Sequence, residues 1–333
     1  MSDGPASDAA VEQLVDFWTP LAVRALAAAG VFAELGDGAR DPDDVARVTG
    51  VHAATLRRFL QAVASRGVVE DAGGGRVRLT PLGLRLVPGR PGSLAGLATL
   101  KSFELHAWAE VEQALATGKA TFPLVHDGLG LFAWLATDPA RSAQFDATMR
   151  ARTSALLEAG LPLADWPAHG TVVDVGGGTG HLLERVLADR PGLRGVVFDL
   201  AHVVEGASAP LAAAGLADRV EVVAGSFFEA VPVGGDLYVL SNILHDWADT
   251  DALRILRCVR AAIPPRGRLR LFEAVLGAEA GGLGAQLDLH MLVLLGAEER
   301  TRDGWEALLA AGGFRLAAVI PTPGFAWIDA DPV

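Results

Sequence analysis

Residues 172–180 read Val172-Val173-Asp174-Val175-Gly176-Gly177-Gly178-Thr179-Gly180, and this stretch decides the fold of the chain. The apolar run predicts a short buried strand. The glycines that follow predict a tight turn, because glycine has no Cβ and tolerates positive φ. Such a turn lets backbone N–H groups approach a ligand closely. A second apolar run further along the chain, Val196-Val197-Phe198, ends in Asp199. A glycine turn with a downstream carboxylate is typical of a nucleoside-binding α/β domain, in which the acid binds the ribose hydroxyls.

The spacing of the glycines narrows the choice of nucleoside. A dinucleotide-binding turn has the pattern G-x-G-x-x-G, whose last glycine opens a helix toward a pyrophosphate. Counted from Gly176, the sixth position is His181, so that glycine is missing. Asp174 lies in the strand just ahead of the turn, and its negative charge favours a cationic ligand over a phosphate. S-adenosylmethionine (SAM) fits, because it carries adenosine, a sulfonium and an ammonium but no phosphate. A purely structural strand-to-helix turn is the alternative.

Composition and charge exclude several classes of protein. The 333 residues are too many for one ordinary domain, and the net charge of −12 argues against nucleic acid as a partner. The single cysteine, Cys258, excludes a disulfide within the chain and fits a reducing compartment. Neither a signal-peptide pattern nor an apolar run long enough to span a membrane is present in the sequence. We therefore expect a cytoplasmic protein that binds no membrane.

The first 100 residues have the pattern of a winged-helix domain. Apolar periodicity predicts a helix over 11–29. A second helix begins with Asp41 as N-cap and Pro42 in the first turn, and a third covers 53–66. A hairpin over 68–79 with a Gly73-Gly74-Gly75 turn and a short helix from Thr80-Pro81 complete the pattern. The helices of this domain are predicted to serve packing, dimerisation or one wall of a pocket.

A winged helix also raises the alternative of a DNA-binding regulator. The presumed recognition helix carries Arg57 and Arg58, but most of the neighbouring charges are acidic. Because phosphate contacts need several basic residues on one face, we regard the DNA-binding interpretation as the weaker one.

Residues 101–165 are predicted to form a helical segment that links the domains and lines the substrate site, and residues 166–333 a second domain. In this second domain strands and helices alternate. The expected strands cover 171–175, 195–199, 219–223, 236–241, 268–275, 314–319 and 325–329; the expected helices cover 180–189, 203–215, 249–263, 285–295 and 302–312. Such alternation predicts a doubly wound, mostly parallel Rossmann-like sheet. Ligands bind at the carboxyl ends of such strands.

Three side chains at or beyond predicted strand ends suggest acid–base chemistry. His245 follows the strand Leu237-Tyr238-Val239-Leu240, and histidine suits a general base near neutral pH. A phenol, whose pKa is near ~10, becomes a good nucleophile only when its proton leaves. Glu273 ends the next strand, and Glu299 precedes the helix at Trp305; a carboxylate on Nδ1 fixes the tautomer of a histidine. The alternative for His245 is a purely capping or packing role. Glu298 is interpreted as a solvated loop charge, and the role of Glu299 by itself is left undecided.

These motifs occur together in the order and spacing of one family. The chain resembles the SAM-dependent small-molecule O-methyltransferases, similar to plant caffeic acid and isoflavone enzymes and to bacterial enzymes of aromatic polyketide antibiotic biosynthesis. The resemblance covers nearly the whole chain, including a winged-helix N-terminal dimerisation domain. It implies His245 as general base flanked by Glu273 and Glu299, a homodimer, SAM as cofactor with S-adenosylhomocysteine (SAH) as product, and no metal.

The resemblance and the strand-end argument together assign the binding residues. The predicted cofactor contacts are Asp174, Gly176, Gly178, Asp199, Leu200, Ser226, Phe227, Ser241 and Asp246. The predicted acceptor contacts are Met149, Asn242, Asp288, Met291 and Leu292. Three positions depart from the family pattern: Ser226 replaces a common acid, Ser241 a lysine of plant members, and His290 an asparagine. We interpret His290 either as a polar contact to the acceptor or as a residue facing solvent.

The expected function is methylation of a hydroxyl, most simply phenolic, on a small aromatic natural product. The same scaffold also suits N- or C-methylation, or hydroxylation or rearrangement that uses bound SAM without transferring its methyl group. The sequence leaves the acceptor and the methylated position open.

Overall fold

The computed structural model describes residues 8–90, 92–98, 102–277 and 283–333. It divides into two compact units, Met1–Lys101 and Ser102–Val333. No helix in the described part of the chain is both long and apolar enough to cross a membrane.

The N-terminal unit is built from short helices around one apolar core that includes Leu26, Phe32, Leu56 and Leu60. Its elements are α1 (Asp8–Val15), α2 (Trp18–Ala28), α3 (Val31–Leu35), α4 (Pro42–Thr49), α5 (Ala53–Ala64), the hairpin of β1 (Val69–Gly73) and β2 (Arg76–Leu79), α6 (Pro81–Leu84) and a 3₁₀ turn at Ala95–Ala98.

Two local predictions for this unit are confirmed and one is wrong. Asp41 caps α4 by accepting a hydrogen bond from the Asp43 N–H, and Gly73, Gly74 and Gly75 all have positive φ in the hairpin turn. The single helix expected over 11–29 is instead α1 and α2. The break follows from Asp16, whose carboxylate accepts the Thr19 N–H at 3.1 Å and so starts a new helix.

The second unit begins with helices that pack around Phe122, Leu131 and Leu135. They are α7 (Ser102–Trp108), α8 (Val111–Thr117), α9 (Phe122–Val125), α10 (Leu131–Leu135), α11 (Pro139–Gly160) and a 3₁₀ turn at Leu161–Leu163.

A seven-stranded sheet then follows in the order β10-β11-β7-β6-β3-β4-β5. Its strands are β3 (Gly170–Val175), β4 (Leu193–Asp199), β5 (Val220–Ala224), β6 (Leu237–Ser241), β7 (Arg268–Glu273), β10 (Phe314–Pro321) and β11 (Ala326–Pro332). Strands β3 to β7 pair in parallel, whereas β11 is antiparallel to both β7 and β10. The expected doubly wound, mostly parallel sheet is confirmed.

The remaining helices are α12 (His181–Ala188), α13 (Ala201–Val204), α14 (Ser208–Ala213), α15 (Asp249–Ala262), α16 (Leu283–Leu295) and α17 (Arg302–Ala311), with a 3₁₀ turn at Leu244–Asp246. Buried clusters on the two sides of the sheet hold these layers together; one includes Leu240, Ile255 and Trp305, and the other Leu183 and Phe272. The prediction of a single helix over 203–215 is wrong, because two short helices, α13 and α14, form in this region.

The strand expected over 268–275 ends early. It breaks at Ala274, whose carbonyl accepts a hydrogen bond from the Trp305 indole at 3.0 Å. Beyond the break, β8 (Val275–Leu276) leaves the large sheet and pairs in parallel with β9 (Arg300–Thr301). This long-range pairing brings the segment around residue 299 to the end of β7.

Candidate active site

The turn after β3 is tight enough to require glycine. The N–H groups of Gly176 and Gly177 donate to the Phe198 carbonyl at 2.8 and 3.2 Å, and Gly176 and Gly178 have φ of 74° and 58°. A Cβ at Gly176 would collide with Ile243 Cδ1. The Gly178 N–H donates to Asp199 Oδ2 at 2.9 Å, which joins the turn to the end of β4.

Asp174 is a buried carboxylate beside this turn. It is 1 % exposed, and its Oδ2 has no hydrogen-bond partner within the described residues. Burial, together with the charge of Asp199, raises the pKa of Asp174 to about 7. A cation placed against this oxygen would supply the missing partner and favour the ionised acid. The site therefore fits a cationic ligand.

Asp199 is a second acid at the same strand edge. It accepts the N–H groups of Gly178 and Leu200, at 2.9 and 2.7 Å. Burial raises the pKa of Asp199, and those two hydrogen bonds oppose the effect. Leu200 itself is largely exposed.

Asp146 on α11 is a third acid of this group, which sequence reasoning missed. Burial and the nearby charge of Asp199 raise the pKa of Asp146 to about 6. The available signal was its position three residues before Met149, in the same motif as that predicted acceptor contact. Met149 is half-buried on α11.

His245 lies in the 3₁₀ turn that follows β6 and is 5 % exposed. Because β6 lies between β3 and β7 in the sheet, this turn stands between the glycine turn and the end of β7. Nδ1 of His245 lies 2.7 Å from Glu299 Oε1 and 3.8 Å from Glu273 Oε2. The Nε2 atom lies 3.4 Å from Asp246 Oδ1. The three predicted catalytic side chains are thus brought together.

The carboxylates around His245 control its protonation. Burial by itself would lower the pKa of His245, but Glu273, Asp246 and Glu299 outweigh burial and raise it to about 10. Burial also raises the pKa of Glu273 to about 7 and that of Asp246 to about 6. These carboxylates therefore make the imidazole a stronger base and stabilise its protonated form.

Glu273 and Glu299 have different partners. Oε1 of Glu273 accepts the N–H groups of Ile243 and Leu244, at 3.0 and 2.8 Å, and so anchors the start of the His245 turn. Glu299 is oriented from α16, where Asp288 Oδ1 accepts the Glu299 N–H at 2.9 Å. Asp288, predicted as an acceptor contact, here supports Glu299.

The other predicted acceptor contacts lie close to these groups along the chain. Met291 is buried and Leu292 half-buried on α16. Asn242 has a φ of 55°, and its side chain donates to Ser241 Oγ at 3.2 Å. Contact of these residues with an acceptor stays a prediction.

An aromatic cluster borders the His245 turn. Phe227 meets Phe228 and Trp247 edge to face, with ring centroids 4.9 and 6.0 Å apart, and Phe132 stacks on Trp247 at 5.5 Å. Ser226 Oγ accepts the Phe228 N–H at 3.3 Å. Phe132 is not among the predicted contacts, because aromatic residues in helical patterns are more often core. Trp247 belongs to the predicted His245-Asp246-Trp247 motif but has no predicted contact of its own.

His290 does not simply face solvent, since its side chain is only 16 % exposed. The Trp108 indole donates to its Nδ1 at 2.9 Å, and Glu104 lies 3.7 Å from its Nε2. An indole N–H is only a donor, so Nδ1 is the accepting nitrogen of this ring.

Comparison with known proteins identifies the family of the chain. The profile of the O-methyltransferase domain family matches residues 108–315. The chain is 37 % identical to the phenazine O-methyltransferase PhzM of Lysobacter antibioticus, over 99 % of this chain and 97 % of that protein. The chain belongs to the O-methyltransferase family. The enzyme is a SAM-dependent O-methyltransferase, as its sequence motifs predicted.

Solved structures support the cofactor. The O-methyltransferase NcsB1 of neocarzinostatin biosynthesis, in complex with SAH and 1,4-dihydroxy-2-naphthoic acid, superposes with a TM-score of 0.85. The two chains are 32 % identical, and the alignment covers 98 % of this chain and 100 % of that one. SAM is the cofactor of this enzyme, and the acidic groups around the glycine turn fit its positive charge. No metal-binding group of three or more His, Cys, Asp or Glu occurs among the residues with described positions.

Two further relatives have different activities. The 8-amino-8-demethylriboflavin N,N-dimethyltransferase of Streptomyces davaonensis is 36 % identical over 88 % of this chain and 85 % of that protein. The aclacinomycin 10-hydroxylase RdmB of Streptomyces purpurascens is 35 % identical over 93 % of this chain and 85 % of that protein.

Proposed function

We propose that the enzyme methylates a phenolic hydroxyl of a small aromatic natural product and that His245 accepts the hydroxyl proton. The observation that carries this proposal is the buried His245–Glu299 pair, 2.7 Å apart, at the strand edge next to the glycine turn. Glu299 occupies Nδ1, so Nε2, which lies 3.4 Å from Asp246 Oδ1, is the nitrogen that would face an acceptor.

The protonation equilibrium suits a phenol. When bound, SAM supplies a methyl group activated by the positive charge on sulfur. Only the neutral imidazole can accept a proton, and the positive charge of SAM favours that form. Because the carboxylates raise the pKa of His245 to about 10, close to the ~10 of a phenol, transfer of the phenol's proton to the neutral imidazole is nearly balanced in free energy. Glu273 and Glu299 stabilise the imidazolium that results. A general base of this kind typically contributes ~10²–10⁴-fold in rate.

The acidic groups divide into two sets with different tasks. Asp174, Asp199 and Asp146 surround the glycine turn, where they would bind the ribose hydroxyls and the cationic part of the cofactor. Asp246 and Glu299 contact the imidazole. Phe227 offers an aromatic surface on which a purine would stack.

Removal of the imidazole tests the proposal. With methyl-labelled SAM and 1,4-dihydroxy-2-naphthoic acid or a panel of other phenols, we expect one methyl to be gained by the acceptor. His245→Ala should lose ~10²-fold or more of kcat, since the general base is gone. Its affinity for SAH, measured by calorimetry, should stay within a few-fold of wild type.

The exposed His169 provides the matched control. His169→Ala should keep full turnover. Unchanged kcat in His245→Ala would reject the role of base, and no methylated product from any phenol would reject phenolic O-methylation.

The two relatives with other activities support a second candidate function. N-methylation depends less on a base, because an amine has a free lone pair, and a hydroxylase would leave the methyl group on the cofactor. Product mass with labelled SAM separates these outcomes. A methyl on nitrogen, or an added oxygen with unconsumed SAM, supports the second candidate.

We also propose that the enzyme is a homodimer joined through its N-terminal, winged-helix-like unit. Large apolar side chains on and between α1 and α2 are exposed: Leu14 is 87 % and Trp18 68 % exposed, and Phe17 stacks on Trp18. Contiguous apolar surface of this kind supports a protein interface.

The residue divisions 1–100, 101–165 and 166–333 remain our proposal for the domains. A cytoplasmic location also remains a proposal, supported by the single cysteine.

Binding of DNA by this unit is poorly supported. Arg57, which the winged-helix pattern placed on the recognition helix, pairs with Asp43 at 2.5 Å. A gel-shift assay with genomic DNA checks this point.

A further inference from the structure

Arg300 is a buried arginine beside the His245 turn that the proposed chemistry does not use. It is 4 % exposed. Its guanidinium donates to two backbone carbonyls of that turn, Leu244 O at 3.2 Å and Trp247 O at 3.0 Å. It also donates to Asp249 Oδ1, at 3.1 Å from Nε and 2.8 Å from Nη2. One planar group therefore ties three points around the turn.

The turn needs such support because it is short. A single 3₁₀ turn makes few hydrogen bonds of its own, and its last carbonyls have no partners within the helix. Glu273 accepts the N–H groups at the start of the turn, as described above. Arg300 donates to the carbonyl of the first residue of the turn, Leu244, and to that of Trp247, which follows the turn. Hydrogen bonds to charged groups are stronger than neutral ones, so both ends are firmly held.

The same chain segment also orients the imidazole. Glu299 accepts from His245 Nδ1, and Arg300 is the next residue. In the pairing of β8 with β9, Arg300 lies opposite Val275, and Val275 is only two residues after Glu273 in the chain. The β8–β9 pairing therefore links the backbone of the His245 turn and its imidazole to the carboxylates of Glu273 and Glu299.

We infer that Arg300 is a positioning residue, which holds the His245 turn so that the imidazole keeps its hydrogen bond to Glu299 and its place toward the acceptor. This inference rests on the proposed role of His245 as base. A misplacement of about 1 Å in a catalytic group costs up to ~10²-fold in rate. Loss of the guanidinium fork should therefore reduce kcat much more than it reduces cofactor affinity.

The test compares the same substitution at two buried arginines. Arg300→Lys keeps the charge and removes the fork. Arg270→Lys is the control, because Arg270 is 1 % exposed, forks to Asp329 and donates to the Asp165 carbonyl, away from the His245 turn. Asp249→Asn is a milder variant that weakens the hold on Arg300 and leaves its carbonyl contacts available.

Three quantities are measured for each variant: the His245 Nδ1–H resonance in histidine-labelled enzyme, assigned with His245→Gln; SAH affinity by calorimetry; and kcat with 1,4-dihydroxy-2-naphthoic acid. For Arg300→Lys we expect a shifted or exchange-broadened resonance, a loss of about 10- to 100-fold in kcat and an SAH affinity within about 3-fold of wild type. Arg270→Lys should lower Tm while its resonance and kcat stay as in wild type.

An unchanged resonance and unchanged kcat in Arg300→Lys would overturn the inference and leave Arg300 with a structural role only. If Arg300→Lys does not fold, Asp249→Asn decides: a shifted resonance supports the inference, and a wild-type resonance overturns it. The resonance needs no acceptor. A wild-type enzyme that methylates no phenol therefore rejects the proposed function while the positioning of His245 by Arg300 is still measured.

Discussion

At the scale of single residues, the active site concentrates acids around one imidazole and one glycine turn. Sequence reasoning found the residues at or just beyond strand ends, Asp199, Glu273 and His245, because the alternation of strands and helices places them at one edge. It missed Asp146, since that residue reaches the group from a helix that precedes the sheet. It also left Glu299 undecided, because only the fold brings that loop to Nδ1.

The charge of the cofactor should control the protonation of His245. In the ligand-free or SAH-bound enzyme we expect the imidazole to titrate near pH 10, because Glu273, Asp246 and Glu299 together outweigh burial. SAM differs from SAH by one positive charge and one methyl group, so it should lower the pKa of His245. Titration of histidine-labelled enzyme by NMR, with either ligand, measures both values. A midpoint near the ordinary 6.5 in the ligand-free enzyme would contradict this expectation.

The buried carboxylate of Asp174 should lower the stability of the ligand-free enzyme and strengthen the binding of SAM. Its pKa is raised from 3.8 to about 7, and the difference corresponds to at most roughly 4 kcal/mol. Because the folded state favours the protonated acid, the free energy of unfolding falls as pH rises from about 4 to 7. Asp174→Asn should therefore stabilise the ligand-free enzyme at pH 8 by about 1–4 kcal/mol, and the gain should vanish near pH 4.

Urea denaturation at the two pH values measures that gain in stability. Calorimetry should show that Asp174→Asn lowers the affinity for SAM more than the affinity for SAH. A variant less stable than wild type at pH 8 would contradict the prediction. The exposed Asp218, changed to Asn, is a control for the loss of one negative charge.

At the scale of elements, the glycine turn after β3 depends on the turn that carries His245. A Cβ at Gly176 would collide with Ile243, which precedes that turn. We expect Gly176→Ala to lower SAH affinity by about 10-fold or more, since either the turn or Ile243 must move.

A Gly215→Ala variant distinguishes the effect of this collision on SAH affinity from the effect of backbone strain. It has a φ of 72°, and a Cβ there would meet no atom within 4 Å. Gly215→Ala should cost about 1 kcal/mol of stability from its left-handed backbone and leave SAH affinity unchanged. Equal SAH affinities in the two variants, measured by calorimetry, would show that the contact with Ile243 is unimportant.

At the scale of the whole molecule, the exposed apolar residues of α1 and α2 should control assembly. Leu14→Glu combined with Trp18→Glu places two charges on that surface and should convert a dimer to a monomer, because charged groups are costly to bury in an interface. Light scattering after size-exclusion chromatography measures the mass.

Leu115→Glu is the matched control, since Leu115 is 89 % exposed and lies on α8 in the other unit. It should keep the wild-type mass. A monomeric wild-type enzyme, or a double variant that remains a dimer, would contradict the proposed interface.

The sequence by itself determined the elements whose signals are local. The glycine turn, the cap of α4 and the strands of the parallel sheet all follow from short stretches of chain, and parallel strands necessarily bring their carboxyl ends to one edge. Tertiary structure alone decided the rest: the break of β7 at Ala274, the pairing of β8 with β9, the choice of Glu299 for Nδ1, and the reach of Arg300 and Asp146 into the site. These depend on contacts between segments far apart in the chain, where packing of the whole core, rather than local preference, selects the partner.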